Sequence, residues 1–422
     1  MNITRRDFLK KTATGLALAG ATIALPVNTF AKEKTIKIGM NIPMTGDYAP
    51  WGLPGLYGCE IIAKDINAAG GLKIGGDTYK IEMKSFDHVY DQEKTVQGYK
   101  KLVLEDKVKM VMMLGGSTVG AILPWAQRKK MLTTTLLPSD ITPTSEYLIA
   151  TCESHPLYNV TGVEWLAENF PKAKTAAIVT TNDVEWGLQS ASTYQAAFEV
   201  AGIKVVDVNL HGFDVTDFAP IVSSVLAKKP DIFCMATTIY TTPLMEQLYH
   251  QGFKGKIISC TLDYYTEVIK KTSKEFVNGT IFQFPDFDDP ALTQKGIHFP
   301  DPKGFYDKFI NNHPNDWSAV AWEYPAILLN WVEGAKAAGS IEPTAVLKAL
   351  KANKKPNFVF GGGRWWGKEL WGLDNIIVGR WPVVVIEDGK ARIKEYRSLS
   401  GWLDKNNSVL VKNMKAAGLR TV

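Results

Sequence analysis

The sequence predicts an α/β protein of two similar halves, each a parallel sheet with helices on both faces. Three observations lead there. The 422 residues, 45% of them hydrophobic, supply more apolar material than one core organises. From residue 35 onward, short apolar runs alternate with amphipathic stretches, the pattern of repeated βαβ units. That rhythm breaks and restarts near residue 155.

In the first half, Thr35–Met40 reads as a strand, followed by a Pro/Gly loop and a helix over Gly55–Ala69 that stops at Gly70-Gly71. Strand Tyr79–Ser85, helix Asp91–Glu105 and the buried strand Val108–Leu114 follow, then helix Leu123–Lys129 and strand Met131–Leu136. In the second half, helices over Val160–Asn169, Leu188–Ala201, Phe218–Lys228 and Thr242–Gln251 alternate with strands. Those strands are Ala176–Thr180, Lys204–Leu210, Asp231–Ala236 and Lys256–Ser259. Residues 283–302, rich in Pro and Asp, read as a crossing loop, and helices Phe305–Asn311, Ser318–Ala338 and Pro343–Ala352 come after it. The tail departs from both halves. It holds the Gly/Trp loop Gly361–Gly367 and a hairpin, Trp381–Glu387 with Ala391–Tyr396, turned at Asp388-Gly389.

The formal net charge is +5, of which Arg5, Arg6, Lys10 and Lys11 against Asp7 supply +3 within residues 1–31. The rest of the chain, near +2, carries no electrostatic footprint for nucleic acid or an anionic membrane. Those first residues have the layout of an export signal: a charged start, the apolar stretch Gly15–Pro26, and small residues Thr29 and Ala31 before a mature start at Lys32. The apolar run falls short of the ~20 residues a membrane span needs. Thr4-Arg5-Arg6-Asp7-Phe8-Leu9-Lys10 resembles the twin-arginine export motif, which implies a periplasmic or extracytoplasmic location. Cys59, Cys152, Cys234 and Cys260 are widely spaced. Although an oxidising compartment permits disulfides, a chain this large does not need them, and buried free thiols are expected.

Local catalytic signatures are missing. The sequence has no Gly-x-Ser-x-Gly elbow, Walker loop, His-Glu-x-x-His or calcium loop, and the histidines have no ligand-spaced partners. Gly115-Gly116-Ser117-Thr118 follows a strand and opens a helix, but lacks the Gly-Lys-[Ser/Thr] ending of a phosphate loop. No catalytic residue, metal or cofactor is expected.

In open α/β sheets, ligands bind beyond the carboxyl ends of the strands, so the strand-to-helix loops are the places to search. Gly46–Trp51 offers Trp51, an aromatic in a Gly/Pro loop that either lines a cleft or packs locally. In Gly115–Thr118, Ser117 and Thr118 either cap the next helix or, with free backbone N–H groups, accept a carboxylate. Pro138-Ser139-Asp140 comes next. In the second half, Thr181–Gly187 carries Trp186, Thr237–Tyr240 carries Tyr240, and Asp263–Tyr265 carries Asp263. The Trp365-Trp366 pair reads as packing.

At this point a family resemblance is specific. Lys37-Ile38-Gly39-Met40-Asn41-Ile42-Pro43-Met44-Thr45-Gly46 is similar to the opening of the leucine/isoleucine/valine-binding proteins, and Ile66-Asn67-Ala68-Ala69-Gly70-Gly71-Leu72 to their first helix end. Thr216-Asp217-Phe218 and Asn278-Gly279 recur at the family's spacing, and the order holds from about residue 35 to 390. The resemblance implies a type I periplasmic binding protein of an ABC importer, with two Rossmann-like lobes joined by three crossings. It places residues 35–154 and 285–352 in the first lobe, and 155–284 and 353–422 in the second. It also implies a monomer with membrane permease partners. Trp51 falls on an aromatic cleft wall, Ser117 and Thr118 on the carboxylate loop, and Ser139 on a loop whose usual threonine is here Ile141. Trp186 and Tyr240 fall on second-lobe aromatic positions, and Asp263 on one of two acids that hold a ligand ammonium. The other acid falls on Tyr158, which supplies no charge at neutral pH. A small carboxylate with an aromatic or aliphatic body is the ligand this pattern implies, bound by hinge closure. A sensor of the same fold, or a hydrolase with a nonlocal site, is the alternative.

Overall fold

The computed structural model describes residues 34–422 except Thr238. The export-signal reading of residues 1–31 lies outside the described residues.

Alternating side chains start the first sheet. In β1 (Lys34–Ile42), Ile36, Ile38, Met40 and Ile42 are all buried at period two, which fixes one face against helices. The sheet continues with β2 (Leu72–Ile74), β3 (Asp77–Asp87), β4 (Val111–Met113), β5 (Thr133–Thr134) and β6 (Leu148–Ile149), in the order β2-β3-β1-β4-β5-β6. All pairings are parallel except the edge hairpin β2–β3, where Gly75 and Gly76 both take positive φ. Helices α1 (Leu53–Ala68), α2 (Gln92–Lys100) and α3 (Ser117–Lys129) supply its first crossovers.

The second half opens with α4 (Asn159–Asn169). Its sheet contains β7 (Thr175–Thr181), β8 (Lys204–His211), β9 (Ile232–Met235), β10 (Lys256–Ser259) and β11 (Ile281–Phe282), parallel throughout. The connecting helices are α5 (Gly187–Val200), α6 (Ala219–Leu226), α7 (Thr241–His250), α8 (Tyr265–Lys271) and α9 (Lys274–Val277). The chain then returns to the first lobe with α10 (Pro302–Asn312) and α11 (Val320–Ala338), both packed on α1, and α12 (Pro343–Ala352), packed on α11.

A third passage carries it back. The short pairs β12–β13 (Asn357–Phe358 with Gly361–Gly362) and β14–β15 (Arg364–Trp366 with Ile376–Val378) flank α13 (Lys368–Trp371), and Ile376 bridges Ala150 of the first lobe. Two antiparallel strands, β16 (Arg380–Glu387) and β17 (Lys390–Ser398), complete the second sheet in the order β17-β16-β11-β10-β9-β7-β8. Asp388 and Gly389 at their turn both have positive φ, as a two-residue hairpin of this hand requires. The last helix, α14 (Leu399–Ala416), lies on α5. The fold is therefore a two-lobe α/β protein with three crossings.

Differences from the sequence reading have local causes. α3 begins at Ser117, six residues before the stretch read as helical, because Pro124 masks the pattern while leaving the helix continuous. β5, β6 and β11 are two residues each, too short to show alternation. The four cysteines are free and buried. Among the described residues no helix is long and apolar enough to cross a membrane.

Candidate functional site

The carboxyl ends of the two sheets face each other across a cavity of about 200 Å³. Loops that follow strands of both sheets contribute to its wall. From the first lobe come Tyr48 and Trp51 after β1, Tyr90 after β3, Leu114 and Ser117 between β4 and α3, and Leu137 after β5. Thr181, Asp183, Glu185 and Trp186 face them from the loop between β7 and α5, joined by Phe213 after β8 and by Thr237 and Ile239 after β9.

Trp186 is held from several sides. The Asp183 carboxylate accepts from the Trp186 and Gly187 N–H groups at 2.7 and 3.2 Å, capping α5, and also from the Thr181 hydroxyl. The buried His155 ring stacks on the indole at 3.8 Å between centroids. Burial pushes the imidazole pKa down to about 3, so a neutral ring forms that stack. Gly187 is required beside it, since a Cβ there would lie 2.1 Å from the Thr181 carbonyl oxygen. On the opposite wall Tyr48 stacks on Tyr90 at 4.2 Å and tilts against Trp51.

The loop expected to hold a carboxylate already contains one. Gly115 and Gly116 take positive φ, and the Gly116 N–H donates to both Asp140 carboxylate oxygens at 3.1 Å. The Thr135 hydroxyl donates to the same group at 2.6 Å. Removal from water pushes the Asp140 carboxyl up to about 7, against the pull of those hydrogen bonds. Thr118 is buried with its hydroxyl donating to the Gly115 carbonyl at 2.7 Å, and it is not part of the cavity wall. The Ser117 side chain does line the cavity. Ser139 stays outside that wall; its carbonyl accepts from Arg420 at 3.0 Å.

A second cavity of about 30 Å³ lies directly inward and shares Trp51, Leu114, Leu137 and Trp186 with the first. Glu153, Asp263 and Glu323 line it. Asp263 accepts from the Ala319 N–H at 2.7 Å, ahead of α11, and burial pushes its carboxyl up to about 6. Glu323 sits in the first turn of α11 at 1% exposure, and its Oε1 has no hydrogen-bond partner. Burial, then repulsion from Glu153 and Asp263, holds its pKa well above the carboxylate range. Glu153 is raised the same way, mainly by burial, while the Tyr158 hydroxyl donates to it at 3.2 Å. These acids are not arranged to hold a metal ion; no such group exists among the described residues.

The structure thus brings Trp51, Ser117 and Trp186 together in the main cavity and Asp263 into the inner one. Tyr158 is fully buried and stacked on Trp381, away from both walls, but it positions Glu153. Tyr240 likewise acts one step removed, donating to the carbonyl of Phe213 at 2.8 Å while Phe213 itself lines the cavity. Sequence reasoning missed Tyr90, Phe213, Glu153 and Glu323. The loop after β3 was an available signal for Tyr90. Glu153 and Glu323 lie on a crossing and inside a helix, where nothing local distinguishes them.

A family model described as periplasmic binding protein matches residues 35–390. Among solved structures, the chain resembles a fatty acid ABC transporter substrate-binding protein from Thermomonospora curvata, at TM-score 0.69 and 20% identity, covering 87% of this chain and 94% of that one. A solute-binding protein of an ABC transporter from Rhodopseudomonas palustris, solved with p-hydroxybenzoic acid, matches at TM-score 0.69 and 19% identity over 87% and 98% of the two chains. A leucine binding protein from Thermotoga maritima matches at 0.68 and 16% over 87% and 99%. Family match, sheet order and interlobe cavity agree: the chain belongs to the periplasmic binding protein family, with the type I fold of the branched-chain amino acid binders.

Proposed function

We propose that this protein is the extracytoplasmic substrate-binding component of an ABC importer, closing its lobes on a small organic ligand with an aromatic or aliphatic body. One observation carries the reading: a 200 Å³ cavity between the carboxyl ends of two sheets, with Trp51 on one wall and Trp186 on the other. Indole faces on both sides supply apolar burial and stacking, while the few polar groups around them set orientation. The relatives named for a fatty acid, leucine and p-hydroxybenzoic acid bind solutes of this general build. Export through the leader-like residues 1–31, a monomeric state, a non-enzymatic role and permease subunits as partners belong to the same proposal. A carboxylate end for the ligand follows from the sequence pattern at Ser117 and Thr118. In the folded loop Asp140 and Gly115 engage two of its donors and leave only the Ser117 hydroxyl, so a carboxylate end is not carried into this proposal.

A thermal-shift screen over amino acids, aromatic acids, amines and neutral aromatics tests it. A ligand at 100 times its Kd stabilises by ~2.7 kcal/mol. Replacing Trp186 by Ala removes about 2 kcal/mol of apolar contact, roughly a 30-fold loss of affinity. Recovery of a chemically altered ligand after prolonged incubation, or full affinity in W186A, would contradict the proposal.

A further inference from the structure

We infer that the ligand of this cleft is a primary amine without a carboxylate, its aromatic or apolar body between Trp51 and Trp186 and its ammonium at the inner end among Glu153, Asp263 and Glu323. The inference rests on the solute-binding role proposed above and names its substrate class.

The charge of the walls comes first. Four carboxylates line the two cavities besides Asp183, which caps α5: Glu185 at the main cavity's wall, and Glu153, Asp263 and Glu323 at the inner one. Among the described residues no lysine, arginine or histidine lines either. Asp140 adds a fifth, filling the Gly116 N–H that a ligand carboxylate would need. An anionic ligand would find no cation to meet it and would oppose ionisation of these burial-raised carboxyls, whereas an ammonium lets them ionise. A cation meets its complement.

The inner cavity then fixes where the charge goes. Glu323 Oε1 is buried, unpartnered and in the wall residues of a 30 Å³ space that shares Trp51, Leu114, Leu137 and Trp186 with the main cavity. A buried acceptor without a donor is costly, and a space of this size holds about one water-sized group. An ammonium has that size and three donors, matching the three acids around it. The positive end of α11 explains why an acid is tolerated at residue 323. It does not give Oε1 a partner. Asp263 and Tyr158-held Glu153 are each fixed by a hydrogen bond, Asp263 by one that forms where the lobes meet.

The test uses the full chain and isothermal calorimetry with phenethylamine, phenylalanine, benzoate and p-hydroxybenzoate as probes. Phenethylamine is expected to bind most tightly. Glu323→Gln keeps size and hydrogen bonding while removing the charge, and should weaken phenethylamine at least tenfold. Glu153→Gln gives the same readout should the first variant fold poorly. Tighter binding of benzoate, p-hydroxybenzoate or phenylalanine than of the amine overturns the inference and leaves the solute-binding role standing. Unchanged amine affinity in both variants overturns the inner-end assignment, and silence of these probes together with the whole solute screen overturns both readings.

Discussion

Asp286 shows how much of the chemistry of this fold is carried by single carboxyls held out of water. It is 6% exposed, accepts from the Tyr265 hydroxyl at 2.6 Å, and is pushed up to about 6 chiefly by burial. A carboxyl whose folded pKa lies above its unfolded value of ~3.9 favours the folded state when protonated. Its contribution is complete below about pH 4 and is lost as pH rises through about 6. Asp286→Asn, which cannot ionise, should therefore flatten the pH dependence of stability by up to ~1.4 kcal/mol per pH unit in that window. Denaturant melts of both proteins at several pH values between 4 and 7 check this; parallel curves would contradict it. Residue-level legibility followed burial. Trp51 and Trp186 stood out because large aromatics in Gly-bounded loops break the apolar period, whereas Glu323 lies in the first turn of α11, where an acid reads as an ordinary helix-start residue.

At the scale of elements, the loops between strands and helices set the site, and glycine sets the loops. Gly187 starts α5 with its Cα against the Thr181 carbonyl, so Gly187→Ala forces either β7 or the Trp186 loop to move. The expected cost is about 1–3 kcal/mol of stability, with ligand affinity falling alongside it as Trp186 shifts. Equal stability and affinity in this variant would show that the loop tolerates the displacement. Element existence was largely readable where a period ran for several residues, as in β1 and α11, and at the hairpin turn Asp388-Gly389. It was unreadable where neighbours rather than sequence define the strand: β11 persists at two residues between β10 and β16, and β6 on its ladder to β5. α14 went unread because its buried set, Leu399, Trp402, Leu403, Leu410 and Met414, is diluted by polar residues over 18 positions.

For the whole molecule, the division into halves was visible as a restart of the βαβ rhythm, but the return of α10 to α12 to the first lobe was not. Only the resemblance to the leucine/isoleucine/valine binders indicated it, since a crossing leaves no periodic trace. The packing of α11 on α1 then explains why Asp263 of the second lobe can cap a helix of the first, and why acids from a crossing, a helix and a loop converge at the cleft's inner end. Such a site is complete only when both lobes meet, which links binding to closure. The most direct measurement is small-angle X-ray scattering of the protein with and without the tightest solute from the screen. At about three times the wild-type Kd the radius of gyration should fall in the wild type and barely change in W186A, whose affinity is roughly 30-fold lower. An unchanged radius in the wild type at saturation would contradict capture by lobe closure.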